Sequence, residues 1–433
     1  MLNLADLITG GLGILQRPLS AEALIELAQR RTGCTDFGDV AFREALERFL
    51  IACATESDPS LVGRLATRWD VLRFLANLLR LRAEETRDPS VLDEAIERPI
   101  FITGLPRSGT TFLHRLLLED PDNHAPTVWQ TIHPTPPPGR DERIARVAGQ
   151  LRAFERLAPE FRGLHPLEAT SPQECSEITA HVFRSLRFDT TYRMPSYRAW
   201  LDADGQTEGY RFERRFLQHL QHQRRVESNG AESGGPESGG TESGGTGPFK
   251  PGRWVLKCPD HVFALAELRA AFPDARIVFV HRDPIKVLLS VAKLTEVLRR
   301  PFTRSIDPME IGRGESARWH AGTERMIAAA DAEAFAEPIC HVHHLDLVRD
   351  PLAAVSRVYD HFGLALRAPA EAAIGRLVAA RPNGGYHHGA YRFAEHGLDL
   401  AAEREKFARY VAHFAIQPEP VAMAEEAPLR RAA

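Results

Sequence analysis

Apolar residues change their spacing along this 433-residue chain. From Ser20 to about residue 97 they recur every three or four positions, the period of helices with one buried face. Ser20 is an N-cap residue type before Ala21-Glu22-Ala23-Leu24, and Gln16-Arg17-Pro18 ends whatever precedes it. Further helices are predicted over 42–54 and 61–82. The pattern then shortens. Pro99-Ile100-Phe101-Ile102-Thr103 is a β-rich run closed by Gly104, and a helical pattern follows over 110–118. Later runs at 254–256, 275–281 and 339–345 read as strands. Each precedes a helical stretch, at 262–272, 284–298 and 351–362. Alternating strand and helix predicts an α/β fold with a parallel sheet and right-handed crossovers.

The chain thus divides into a helical N-terminal extension (1–97), an α/β domain (98–365) and a C-terminal tail (366–433). Within the α/β domain, Pro134, Pro136, Pro137 and Pro138 predict an irregular loop over 126–145. Residues 170–225 read as mostly helical. Residues 226–248 repeat Glu-Ser-Gly around Glu232, Glu237 and Glu242, a composition that cannot bury a core and predicts a flexible linker.

Composition narrows the functional classes. A net charge of −4 argues against a nucleic-acid partner or a polybasic membrane protein. The five cysteines (Cys34, Cys53, Cys175, Cys258, Cys340) form no C-x-x-C pair, which points to reduced thiols rather than a disulfide framework. Met1-Leu2-Asn3-Leu4-Ala5-Asp6 carries an acid where a signal peptide carries a base. No run of about 18 apolar residues marks a transmembrane segment. A cytoplasmic chain is expected; a homo-oligomer is compatible with all of this.

The chemistry gathers at Gly104-Leu105-Pro106-Arg107-Ser108-Gly109-Thr110-Thr111. Its glycine spacing is that of a phosphate-cradling loop, with backbone N–H groups at a helix N-terminus. The position of the phosphate-binding lysine of a nucleotide triphosphatase holds Thr110, and no acidic strand end for magnesium follows. The loop therefore suits a short 5′ anion, and Arg107 can offer it forked donors. A second anion site is signalled by Arg282 at the end of the run Arg276-Ile277-Val278-Phe279-Val280-His281. Asp283 and Pro284 suit a helix start there, and Ser290 lies about two turns up that helix. One nucleotide with two separated anionic groups would need both sites.

These motifs resemble those of sulfotransferases that use 3′-phosphoadenosine 5′-phosphosulfate. Pro106-Arg107-Ser108-Gly109-Thr110-Thr111-Phe112 is similar to their 5′-phosphosulfate loop, and Arg282-Asp283-Pro284 through Ser290 to their 3′-phosphate motif. Trp254-Val255-Leu256-Lys257-Cys258-Pro259-Asp260-His261 resembles the strand and turn between them. Asp36-Phe37-Gly38-Asp39 and Asp346-Leu347-Val348-Arg349-Asp350-Pro351 resemble a bacterial branch of that family. The likeness covers about 20–365, the linker excepted. It implies a P-loop-like parallel sheet flanked by helices. It also implies metal-free transfer of a sulfuryl group from the sulfated nucleotide to a hydroxyl or amine of a small-molecule, lipid or glycan acceptor.

The resemblance assigns Arg107 to the leaving bridging oxygen, and Ser108, Gly109, Thr110 and Thr111 to the 5′ group. It assigns Phe112 to adenine and Arg282 with Ser290 to the 3′-phosphate. Lys257, at a strand end between the sites, would stabilise charge on the transferring group. The general base is open. The family often places a glutamate where this chain has Gln130, which cannot accept the proton. His133, His261 and Glu174 are the substitutes, with His165 behind them. In the tail, 385–392 would close over the nucleotide through His388 and Arg392. The strand alternation of His341, His343 and His344 supplies no third ligand, so no metal site is expected. Two other classes remain: a kinase or nucleotide hydrolase, and an inactive nucleotide-binding homologue.

Overall fold

The computed structural model describes residues 19–160, 167–233, 251–332, 335–380 and 393–420. Five parallel strands form one sheet in the order β2-β3-β1-β4-β5. They are β1 (Ile100–Gly104), β2 (Asn123–His124), β3 (Arg253–Lys257), β4 (Arg276–His281) and β5 (Cys340–His343). Central β1 pairs with β3 from Ile100 opposite Val255, and with β4 from Ile100 opposite Arg276. The α/β fold and its helical N-terminus are as expected from the sequence.

Strand alternation builds two cores. Ile100, Ile102, Val278 and Val280 point to one face, where Leu113, Leu117, Val355 and Tyr359 from two flanking helices cover them. Phe101, Ile277 and Phe279 point to the other. That second core also contains Leu24, Phe42, Phe49, Phe74 and Leu75 from the N-terminal helices and Phe183, Phe188 and Tyr197 from the long insert. The N-terminal extension is therefore packed into the same core as the sheet.

Several boundaries differ from those the sequence predicts, each for a local reason. The β5 strand stops at His343, because Asp346 in the first turn and a helix over His344–Arg349 turn the chain toward the phosphate loop. The region 126–145 is not wholly irregular. A short helix, Val128–Ile132, forms through a capping box in which Gln130 Oε1 accepts from the Thr127 N–H and hydroxyl at 3.0 and 2.9 Å. The helix that opens the Glu-Ser-Gly region, Thr207–Ser233, runs past the expected linker start at 226. Residues 234–250 lie outside the described residues. So do His165, His388 and Arg392. Among the described residues, no helix is long and apolar enough to cross a membrane.

Candidate active site

The loop between β1 and the helix Thr110–Leu117 is shaped by three left-handed residues, Gly104, Arg107 and Gly109. Gly104 is obligatory: a Cβ there would lie 2.4 Å from the Val280 carbonyl oxygen. A Cβ on Gly109 would press on His344 and Leu347, each at 3.1 Å. Ser108 is fully buried and donates through Oγ to the Leu105 carbonyl at 2.6 Å. The His344 ring meets the Ser108 carbonyl at 2.9 Å. The loop is thus held from inside and from the segment after β5, and its amides are set before any ligand arrives.

The second anion motif meets the first directly. Arg107 donates through Nε to the Ser290 hydroxyl at 3.0 Å, and Arg282 donates to the Arg107 carbonyl at 2.7 Å. Asp283 caps the helix Pro284–Arg299 by accepting from the Ile285 N–H, as the sequence signals. Arg282 has a partner the sequence does not reveal. Its guanidinium grips both oxygens of Glu419 at 2.7 and 2.8 Å, and the Glu419 N–H donates to Asp283 at 2.8 Å. Burial opposes ionisation of Glu419, but the hydrogen bonds and charge of Arg282 hold its carboxyl below the usual range.

Beside the loop lies a cavity of about 1120 Å³. Arg107, Gly109, Thr110, Thr111, Phe112, Arg282 and Ser290 line one end. Leu151, Phe154, Leu157, Leu294, Leu298 and Phe302 line a long apolar wall, with Phe154 and Phe302 stacked 6.1 Å apart. Between these walls stand Glu174 and Asp260. Lys257 at the end of β3 is ion-paired to Glu174. Asp260 is half-buried, and desolvation pushes its carboxyl up to about 7, with Arg318 pulling the other way. A further wall is a two-plus-two charge array, with Arg73 and Glu177 buried and Asp70 and Arg187 half-buried. Arg73 bonds Asp70 at 2.8 Å and Glu177 at 2.6 Å, and Arg187 reaches the same two carboxylates at 3.1 and 3.2 Å.

Of the three substitutes for the missing base, only Glu174 lines this cavity. His261 sits behind it, 3% exposed, against the edge of Phe101 and hydrogen-bonded to Tyr210 at 2.6 Å. Burial pushes its imidazole down to about 3. His133 does not line the cavity either, and burial lowers it to about 4. Gln130 is occupied as a helix cap, so its position contributes local structure. Phe112 both lines the cavity and packs in the core beneath it. Sequence reasoning misses Asp260, Glu419 and the Asp70–Arg187 array. Asp260 stands between Lys257 and His261 in one motif, and an acid between two functional residue types is the signal that could have found it. Nothing in the sequence marks Glu419.

A sulfotransferase family model matches residues 99–368. Two curated relatives are 24% identical over 284 residues: the omega-hydroxy-beta-dihydromenaquinone-9 sulfotransferases Stf3 of Mycobacterium bovis and Mycobacterium tuberculosis. The match covers 61% of this chain and 63% of theirs, so it spans less than two thirds of their length. Among solved structures, sulfotransferase STF9 from Mycobacterium avium superposes with a TM-score of 0.78 at 27% identity, over 92% of this chain and 97% of that one. STF1 from Mycobacterium tuberculosis gives 0.74 at 29% identity, over 90% and 99%.

Proposed function

The chain belongs to the sulfotransferase family, and we propose that it moves a sulfuryl group from 3′-phosphoadenosine 5′-phosphosulfate to the hydroxyl of a lipid-like acceptor. The observation that carries this is one continuous cavity joining the two anion motifs to the Phe154–Phe302 wall. A charged glycan would leave that wall in contact with polar groups; a hydrocarbon chain would bury it, at about 25 cal/mol per Å². The relatives named for a dihydromenaquinone substrate fit the same class.

In this reading the 5′ group rests on the amides of Ser108 to Thr111, and Phe112 is placed for adenine. Arg282 and Ser290 receive the 3′-phosphate. Arg107 faces the bridging oxygen, which gains charge as its bond to sulfur breaks. The acceptor oxygen attacks sulfur from the opposite side, in line, and forms the new S–O bond. Glu174 takes the acceptor proton. Its partner Lys257 is drawn to the incoming sulfuryl oxygens, which frees the carboxylate as the donor arrives. Adenosine 3′,5′-bisphosphate leaves with the negative charge.

The test is transfer from a radiolabelled donor to a panel of long-chain and polyisoprenoid alcohols against soluble phenols and glycans, without added magnesium. Preferential labelling of the long-chain alcohols is the expected result. Labelling of glycans alone would refute the acceptor class, and preference for binding ATP over adenosine 3′,5′-bisphosphate would refute the donor.

A further inference from the structure

Next to Glu174 and Asp260, three metal-ligand side chains converge that the proposed transfer does not use. Cys175 opens the helix Cys175–Thr179, Glu213 lies in the helix Thr207–Ser233, and His261 lies in the single turn Pro259–Phe263. One ligand atom from each falls within 4.8 Å of the other two. All three are buried: Cys175 is 2%, Glu213 0% and His261 3% exposed. They are distant in sequence, so no spacing motif announces them.

Their hydrogen bonding is incomplete. Neither carboxyl oxygen of Glu213 has a hydrogen-bond partner beyond a weak contact with the Cys175 thiol, and Nε2 of His261 has none. Orphaned polar atoms at this depth are costly, and three facing one another are rarely left so. The other ring nitrogen of His261 is held by the Tyr210 hydroxyl at 2.6 Å. That is the arrangement of a ligating histidine, whose second ring nitrogen is fixed by an outer partner so that the free nitrogen points at the ion.

We propose that Cys175, Glu213 and Nε2 of His261 bind a structural zinc ion. A thiolate, an imidazole and a carboxylate are the donor types zinc takes, in tetrahedral geometry. Ligand atoms around zinc stand roughly 3.5 Å apart, so the site needs to contract by about 1 Å. Cys258 is close enough to act electrostatically on Cys175, and its thiol is a donor type suited to the fourth position. Binding releases the thiol proton and the carboxyl proton to solvent, and it gives the orphaned atoms of Glu213 and His261 a partner.

The location gives the ion a purpose. Two of the proposed ligands adjoin residues of the site: Cys175 follows Glu174 and His261 follows Asp260, while Glu213 brings in the helix Thr207–Ser233. Zinc would fasten the turn after β3 to two helices of the insert. It would fix the placement of the carboxylates without touching substrate.

The experiment is elemental analysis of the untagged full chain purified without chelator, followed by cobalt(II) substitution of chelator-stripped protein. The expected result is close to one zinc per chain and a sulfur-to-cobalt charge-transfer band that Cys175→Ser abolishes. Chelator should lower the melting temperature of the parent chain. Glu213→Gln, which preserves shape, should weaken zinc binding about tenfold or more. A chain without bound metal, whose melting temperature ignores both chelator and added zinc and whose cobalt spectrum lacks the thiolate band, would overturn the proposal. These readouts do not involve sulfuryl transfer, so they stand or fall separately from the proposed activity.

Discussion

Arg282 and Glu419 form a two-point ion pair, at 2.7 and 2.8 Å, where the 3′-phosphate of a nucleotide would bind. A carboxylate presents two oxygens in the fork geometry a phosphate presents. In the proposed reading, Glu419 is therefore a resident competitor that the nucleotide must displace. Replacing Glu419 with Gln keeps the shape and removes the charge. The affinity for adenosine 3′,5′-bisphosphate should then rise by about fivefold to tenfold, on the order of one charge-assisted hydrogen bond. Calorimetry with both chains measures this; equal affinities would show that the pair costs the nucleotide nothing.

Arg282→Ala should act in the opposite direction. It removes a charged donor from the 3′ site and leaves Glu419 buried without its partner. Nucleotide affinity is expected to fall by about tenfold or more. Comparison with a nucleotide lacking the 3′-phosphate isolates the cause. The substitution should barely change binding of that analogue.

Glu174→Gln tests the base. The glutamine cannot accept the acceptor proton, so kcat should fall by about 10²- to 10⁴-fold while nucleotide affinity stays near that of the parent. His133→Gln should leave kcat within a small factor, because His133 does not line the cavity. The reverse outcome for these two variants would move the base to the histidine.

Leu294 belongs to the apolar wall of the cavity, one turn beyond Ser290 on the same helix. Enlarging it to Trp should fill the path of a long chain. KM for a polyisoprenoid alcohol should rise, while a short alcohol and the nucleotide bind as before. Parallel loss for both acceptors would show that the chain takes another route.

Stability should decline in mild acid. Burial pushes His114 and His181 down to about 3, so both are neutral in the folded chain at pH values where they would be charged unfolded. The unfolded state then binds more protons as pH falls below the ordinary histidine value. The contribution is complete above about pH 6.5, is lost progressively below it, and levels off near 3. Melting temperatures from pH 8 to 4 should fall along that window. His181→Gln should flatten the slope, since Asn77 and the Glu177 carbonyl that hold the ring are neutral.

Local rules make much of this molecule legible in its sequence. Period-two and period-3.6 patterns place β1, β3 and β4 and the helices beside them, because each must bury one face. Gly104 and Gly109 mark the phosphate loop, since only those backbone conformations pass Val280 and His344. Arg282 and Ser290 are readable because strand-end and helix spacing fix them within one motif. Tertiary structure decides the rest. His261 and Glu174 look equivalent as bases, and burial separates them: one packs against Phe101, the other lines the cavity. Gln130 looks like a lost acid and proves to be a cap. Glu419 and the Cys175–Glu213–His261 cluster have no signature at all, since their partners lie far away in sequence. Burial and contact between distant segments are properties of the packed chain, and one-dimensional spacing carries no record of them.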